Sequence, residues 1–270
     1  MNPDAILPHN AKAAATWNSG GQHYDRISHS IADSIEHCVH RLAPRRGERV
    51  LDVATGTGWT ARRVAARDAT VIGVDLGPDL IAAAQALAAE HRLAIDFRVG
   101  DAEKLPFDDQ SFDAVISTCG VMFASNPEAV AAELARVCRT GGRIGLTTWP
   151  PDGTLAGLFK VMRPYMPPPP PSPPPSPFEW GRPERVTALL GAAFELRFEP
   201  GNTVLREPSA EAVWELFVQG YGPTKSLAAS LDADRRESLE RDFIAYHAGF
   251  KSDLGVAMPR DYLVTIGTRK

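Results

Sequence analysis

A chain of 270 residues, 44% hydrophobic and 23% charged, is long enough to bury a core in one or two domains. Its formal net charge of −4 argues against wrapping a nucleic-acid backbone, and three widely spaced cysteines (Cys38, Cys119, Cys138) argue against a disulfide framework or a zinc centre. No apolar run approaches a membrane span, and residues 1–15 carry no signal-like stretch, so a soluble, cytoplasmic protein is expected, with no membrane or nucleic-acid partner and no metal.

The first periodic segment is residues 11–17, followed by a polar, aromatic stretch that holds Trp17, His23 and Tyr24 beside Gly20 and Gly21. Residues 27–42 repeat Ile27, Ile31, Ile35, Cys38, Val39 and Leu42 at helical spacing until Pro44 and Gly47 stop them. Strand and helix then alternate. Residues 50–53 form a strand, Gly56 and Gly58 a tight turn, and 60–67 a helix. Residues 70–75 form the second strand, and Gly77-Pro78 open a helix over 79–91. Strands follow at 95–99 and 112–117. Asn126-Pro127-Glu128 start a helix that runs to about residue 139, and Gly141-Gly142 separate it from a fifth strand at 143–148. Such alternation predicts an α/β, doubly wound, mostly parallel sheet, whose ligands bind beyond the carboxyl ends of the strands.

Residues 164–177 contain ten prolines and read as an exposed polyproline II connection. Beyond them come a helix at 183–193, a strand at 194–198 that residues 203–206 extend, helices at 210–218 and 233–250, and a β-rich run at 261–267. One domain accommodates this: an arm and helix (1–45), a binding core (46–150), the proline-rich connection (151–182), and a C-terminal part (183–270) with a helical cap at about 207–255.

Asp75 ends the second strand 19 residues after Gly56, the distance at which a carboxylate meets ribose hydroxyls. A nicotinamide-dinucleotide enzyme satisfies this much too, since Gly56-x-Gly58-x-x-Ala61 fits the loose dinucleotide pattern. The discriminating residues come later: Gly100-Asp101-Ala102 after the third strand, and Phe112-Asp113-Ala114-Val115-Ile116-Ser117 as the fourth. With Val50-Leu51-Asp52-Val53-Ala54-x-Gly56-Thr57-Gly58, the chain resembles the class I S-adenosylmethionine (SAM)-dependent methyltransferases over about residues 15–150. In motifs it looks most like the ubiquinone/menaquinone-methyltransferase-like small-molecule group, although the closing motifs of the quinone enzymes are missing.

The resemblance implies a seven-stranded sheet with a helical cap before its last strand, SAM as cofactor, S-adenosylhomocysteine as its product, and a small-molecule acceptor. It implies cofactor contacts from Tyr24, Asp52, Ala54, Thr55, Gly56, Gly58, Asp75, Leu76, Asp101, Ala102 and Thr118. Asp52 would serve the methionine amino group, Asp75 the ribose, and Asp101 the adenine. No catalytic residue is assigned: His23, Tyr24 and His247 are candidates for a base, and Cys119 for a substrate contact. The acceptor atom and the oligomeric state are not readable. Two rival readings are a methyltransferase acting on tRNA or protein, and a SAM-binding protein without catalysis. The N-terminal arm, residues 11–25, is expected to fold over the cofactor with Tyr24 facing it.

Overall fold

The computed structural model describes residues 5–169 and 173–270. In chain order the helices are α1 (Ala11–Asn18), α2 (Tyr24–His29), α3 (Ala32–Leu42), α4 (Trp59–Ala65), α5 (Pro78–Glu90), α6 (Pro127–Val137), α7 (Thr154–Met162), α8 (Pro183–Leu190), α9 (Ala210–Gly220), α10 (Gly222–Ser230) and α11 (Ala233–Ala248). The strands are β1 (Arg49–Val53), β2 (Thr70–Asp75), β3 (Ile95–Val99), β4 (Phe112–Thr118), β5 (Cys138–Thr148), β6 (Phe194–Glu207), β7 (Lys251–Ser252) and β8 (Gly255–Arg269).

Seven strands lie side by side in the order β3-β2-β1-β4-β5-β8-β6, and β7 is a two-residue flap on β8. β1 to β5 run parallel; β8 enters antiparallel beside β5, and β6 pairs antiparallel with β8 over fourteen residues. β1 and β2 are buried apart from their first residues, because helices cover both faces of a parallel sheet. Chain order reverses between β1 and β4, which opens a crevice at the carboxyl ends of those strands.

Several expected boundaries move. Residues 27–42 are two helices, α2 and α3, because Ile31 leaves the helical conformation (φ −123°, ψ 18°). The Ser34 amide then bonds the Ile31 carbonyl, and the Ser30 carbonyl is left to another partner. α6 starts as expected, with Asn126 capping the Ala129 amide at 3.1 Å, but it ends at Val137, and β5 takes over at Cys138. The cap contains a third helix, α10, with proline in its first turn. The proline-rich stretch opens with a 3-10 turn at Arg163–Tyr165; residues 167–169 and 173–176 are exposed, and 170–172 lie outside the described residues.

Candidate functional site

β1 delivers the chain to a short loop, residues 54–58, that leads into α4. Ala54, Gly56 and Gly58 all take positive φ (56°, 56° and 80°). A side chain at Gly58 would strike the Phe97 ring at 2.7 Å, so this glycine is required both by conformation and by the close packing of β3. Asp75 locks the loop to β2: its Oδ2 accepts the Gly56 amide at 2.8 Å and its Oδ1 accepts the Gly77 amide at 2.9 Å. Asp52 is 1% exposed and accepts the Thr55 hydroxyl at 2.5 Å through Oδ2, while its Oδ1 has no partner among the described residues. Burial pushes Asp52 up to about 7 and raises Asp75 as well, and the charge of Asp75 adds to the shift at Asp52.

A solvent-connected space of about 700 Å³ opens at the carboxyl ends of β1, β2, β3 and β4. Ala54, Gly56, Asp75, Leu76, Asp101 and Ala102 line it, and so does Tyr24 from the N-terminal segment. Asp52, Thr55, Gly58 and Thr118 stand outside this lining. Thr118 spends its hydroxyl on Thr60 at 2.6 Å, tying the end of β4 to α4. Cys119, Gly120 and Phe123 complete the wall after β4. Gly120 permits close approach, since a Cβ there would lie 2.5 Å from that of Ala54. Burial raises the Cys119 thiol and the Tyr24 phenol far above neutrality, so both are uncharged.

The N-terminal arm spans the mouth of this space. Asp101 Oδ2 accepts the Leu7 amide (3.1 Å) and the Asn10 side-chain amide (2.9 Å), while its Oδ1 accepts the Glu103 amide (2.9 Å). His9 meets Glu103 at 2.7 Å. Asn10 is 3% exposed and lines the space; one asparagine in an irregular N-terminal stretch gave no signal in the sequence. Trp17 packs on Phe123 (4.9 Å between ring centroids) and edge-on to Tyr221 of the cap (5.5 Å). The arm therefore joins the cap to the rims of β3 and β4.

The two histidines considered as bases lie elsewhere. His23 is exposed and outside the lining. His247 is fully buried in the cap, where its Nδ1 donates to the Phe243 carbonyl at 2.8 Å. Desolvation pulls it down to about 4, so it is neutral. Among the described residues no group of histidine, cysteine and carboxylate side chains is arranged to hold a metal, and no helix is long and apolar enough to cross a membrane.

Comparison with known proteins agrees with this geometry. The methyltransferase domain family (Methyltransf_11) matches residues 51–146, from β1 to β5. An uncharacterized protein of Mycobacterium tuberculosis is 40% identical over 228 residues, covering 83% of this chain and 82% of the relative. The demethylmenaquinone methyltransferase of Clavibacter sepedonicus is 40% identical over 104 residues, 38% of this chain and 42% of that protein. The YcgJ protein of Bacillus subtilis has the same fold, with a TM-score of 0.62 at 20% identity, over 88% of this chain and 98% of its own. Strand order, glycine loop, the acidic ends of β2 and β3, and the matched family converge: the chain belongs to the class I SAM-dependent methyltransferases.

Proposed function

We propose that the protein binds SAM in the space at the ends of β1 to β4 and methylates a small-molecule acceptor held beneath the helical cap. The observation that carries this reading is the charge of the wall. Asp75 and Asp101 line the space, Asp52 is buried behind the loop, and no lysine, arginine or histidine is among the lining residues described. The Gly56 amide, which a pyrophosphate would need, is already given to Asp75. An acidic wall with a spent loop amide repels a dinucleotide and suits a cation.

The residues fit that cofactor. Asp75 keeps lone pairs beyond its two backbone bonds and faces the space, as ribose hydroxyls require. Asp101 keeps acceptor capacity on Oδ1 for an adenine amino group, with Ala102 and Leu76 as apolar walls. The unpartnered Oδ1 of Asp52 puts a buried acceptor behind the glycine loop, suited to the ammonium end. When bound, SAM supplies a sulfonium-activated methyl group open to in-line displacement.

The chain's own contribution is alignment and exclusion of water. The neutral Cys119 thiol and Tyr24 hydroxyl offer hydrogen bonds without competing as charged nucleophiles. Trp17, Phe123 and Tyr221 form an apolar joint between arm and cap that keeps solvent out. Cover of the space by the arm, which the cap buttresses through Tyr221 on Trp17, supports an acceptor of small size over a tRNA or protein surface.

Calorimetry with SAM, S-adenosylhomocysteine and NAD, followed by S-adenosylhomocysteine release assays on small-molecule, tRNA and protein acceptor panels, tests the reading. Binding of SAM and its product, with turnover on a small molecule, is expected. Binding of NAD without SAM overturns the cofactor; turnover confined to a macromolecule overturns the acceptor.

A further inference from the structure

Arg260 is a buried cation with no role in the site described so far. It lies three residues before Leu263, where the pairing of β8 with β5 ends at Thr148, so it stands beyond the carboxyl end of β5, at the end of the sheet where the cap lies. β8 alternates here: Val256, Met258, Arg260 and Tyr262 are buried, while Pro259 and Asp261 are exposed. Arg260 itself is 3% exposed.

Its partners do not neutralise it. Nη1 donates to the Ser30 hydroxyl at 3.2 Å and Nη2 to the Ser30 carbonyl, the carbonyl freed by the break between α2 and α3. Nε is buried with no partner among the described residues. Ser30 thus takes two of the five guanidinium N–H groups, and the Nε–H beside a remaining Nη–H forms the fork that receives a carboxylate. Asp33 acts on the charge through space only, being engaged by the Thr203 hydroxyl and the Ser34 amide. Burying a cation without a bonded anion is among the costliest placements in a protein interior.

Arg260 is not itself among the residues that line the cavity, but Cys119, which is, donates its amide to the Thr147 carbonyl of β5 at 2.8 Å, next to the Thr148–Leu263 pair, so both stand at the same end of the sheet. Cys119, which lines the cavity, lies within the electrostatic reach of Arg260. So does His247, whose Nε2 is also buried without a partner. Since its Nδ1–H is given to Phe243, the neutral imidazole offers a lone pair at Nε2. An unmatched donor fork and an unmatched acceptor thus share the region between cap and sheet.

We propose that Arg260 anchors a carboxylate on the methyl acceptor, so that this enzyme acts on anionic small molecules. The assignment rests on the small-molecule methyl transfer proposed above and gives that acceptor a chemical class. The competing account is structural: Arg260 merely pins Ser30 at the helix break.

The test is calorimetry on the full chain saturated with S-adenosylhomocysteine, titrated with matched pairs: benzoate and benzamide, 4-hydroxybenzoate and 4-hydroxybenzamide, hexanoate and hexanamide. In the wild type at least one carboxylate is expected to bind about tenfold or more tightly than its amide. Arg260→Met should bring that ratio to about one with S-adenosylhomocysteine affinity unchanged within about twofold, and Arg260→Lys should keep part of the preference. Wild-type ratios near one for every pair, or a preference that survives Arg260→Met, overturn the proposal. If Arg260→Met does not fold, the wild-type ratios and the Lys variant still decide, because a residue that only pins Ser30 predicts no carboxylate preference. Failure of the wild type to bind S-adenosylhomocysteine would instead sink the methyl-transfer reading, so the two failures are told apart.

Discussion

Substituting Asp75 tests two roles at once, the glycine loop it holds and the ligand contact proposed for it. Asp75→Ala leaves the Gly56 and Gly77 amides without an acceptor at a position 8% exposed. A hydrogen bond to a charged group contributes about 1.5–3 kcal/mol, so two sum to about 3–6 kcal/mol. Burial already penalises this carboxylate, and alanine removes that penalty, which places the net loss at the lower end, about 3 kcal/mol. For a chain of this length each kcal/mol shifts Tm by roughly 2–4 °C, so a fall of about 6–12 °C is expected. Asp75→Asn keeps the shape and one carbonyl oxygen, and should lose about half as much. It is therefore the better probe of binding: calorimetry should show affinity for S-adenosylhomocysteine reduced by about tenfold to a hundredfold. Scanning calorimetry reads the first effect and isothermal calorimetry the second. An alanine variant melting within about 2 °C of wild type would refute the claim that this carboxylate holds the glycine loop. An Asn variant with unchanged affinity would remove Asp75 from the ligand site.

Two further predictions concern pH, and one the arm. Asp52 has a folded pKa raised to about 7 from 3.8, so its contribution to stability is present below 3.8 and is lost as pH rises through about 7; Asp52→Asn should flatten the decline of Tm between pH 5 and 8, and an unaltered decline counts against it. His247 has the opposite sign: its pKa falls from 6.5 to about 4, so its contribution is present above 6.5 and is lost as pH drops through about 4, up to roughly 3 kcal/mol. Chemical denaturation of His247→Gln should show less acid sensitivity in that window, and equal sensitivity would place the acid-labile group elsewhere. The Leu7 and Asn10 bonds to Asp101 couple the arm to the cavity wall, so hydrogen exchange at residues 7–25 should slow with S-adenosylhomocysteine bound; equal, strong protection in both states would make the arm a permanent part of the core.

The wall of the cavity at the ends of β2 and β3 is legible in the sequence because the residues that form it are set by local spacing. Asp75 follows Gly56 by 19 positions, and a strand–turn–helix pattern fixes where both must lie. The same logic located Asp101 and Ala102 at the end of β3. Thr118, which the resemblance implies as a contact, lies outside the lining with its hydroxyl bonded to that of Thr60. Periodicity also ran through Ser30 without a mark, because Ile27, Ile31 and Ile35 keep one face apolar across a helix that is in fact broken. Asn10 was invisible for a different reason: its role depends on a bond to Asp101, 91 residues away.

The acceptor half is illegible for a physical reason that also guides how it should be studied. The acceptor site proposed above draws on four separate places: Ser30 at a helix break, Cys119 after β4, His247 in the cap and Arg260 on β8, of which Cys119 lines the cavity. No spacing rule links them, and each looks ordinary alone. An arginine in a strand is common on an exposed face, and a histidine in the last turn of a helix complements its dipole. What singles out Arg260 and His247 is burial combined with an unspent hydrogen-bonding atom, which only the folded chain reveals. The sheet explains why these residues meet. β8 runs antiparallel past the end of β5 and carries Arg260 toward the end where β1 to β4 deliver the cofactor loops. The cap, inserted between β6 and β8, meets the N-terminal arm where Tyr221 packs edge-on to Trp17. If the acceptor lies beneath the cap as proposed, a change of cap sequence alters which acceptor is recognised while the bond network around Asp52, Asp75 and Asp101 stays intact. Cap variants should shift acceptor KM and leave S-adenosylhomocysteine affinity in place; loss of both together would mean that cap and cofactor loops fold as one unit.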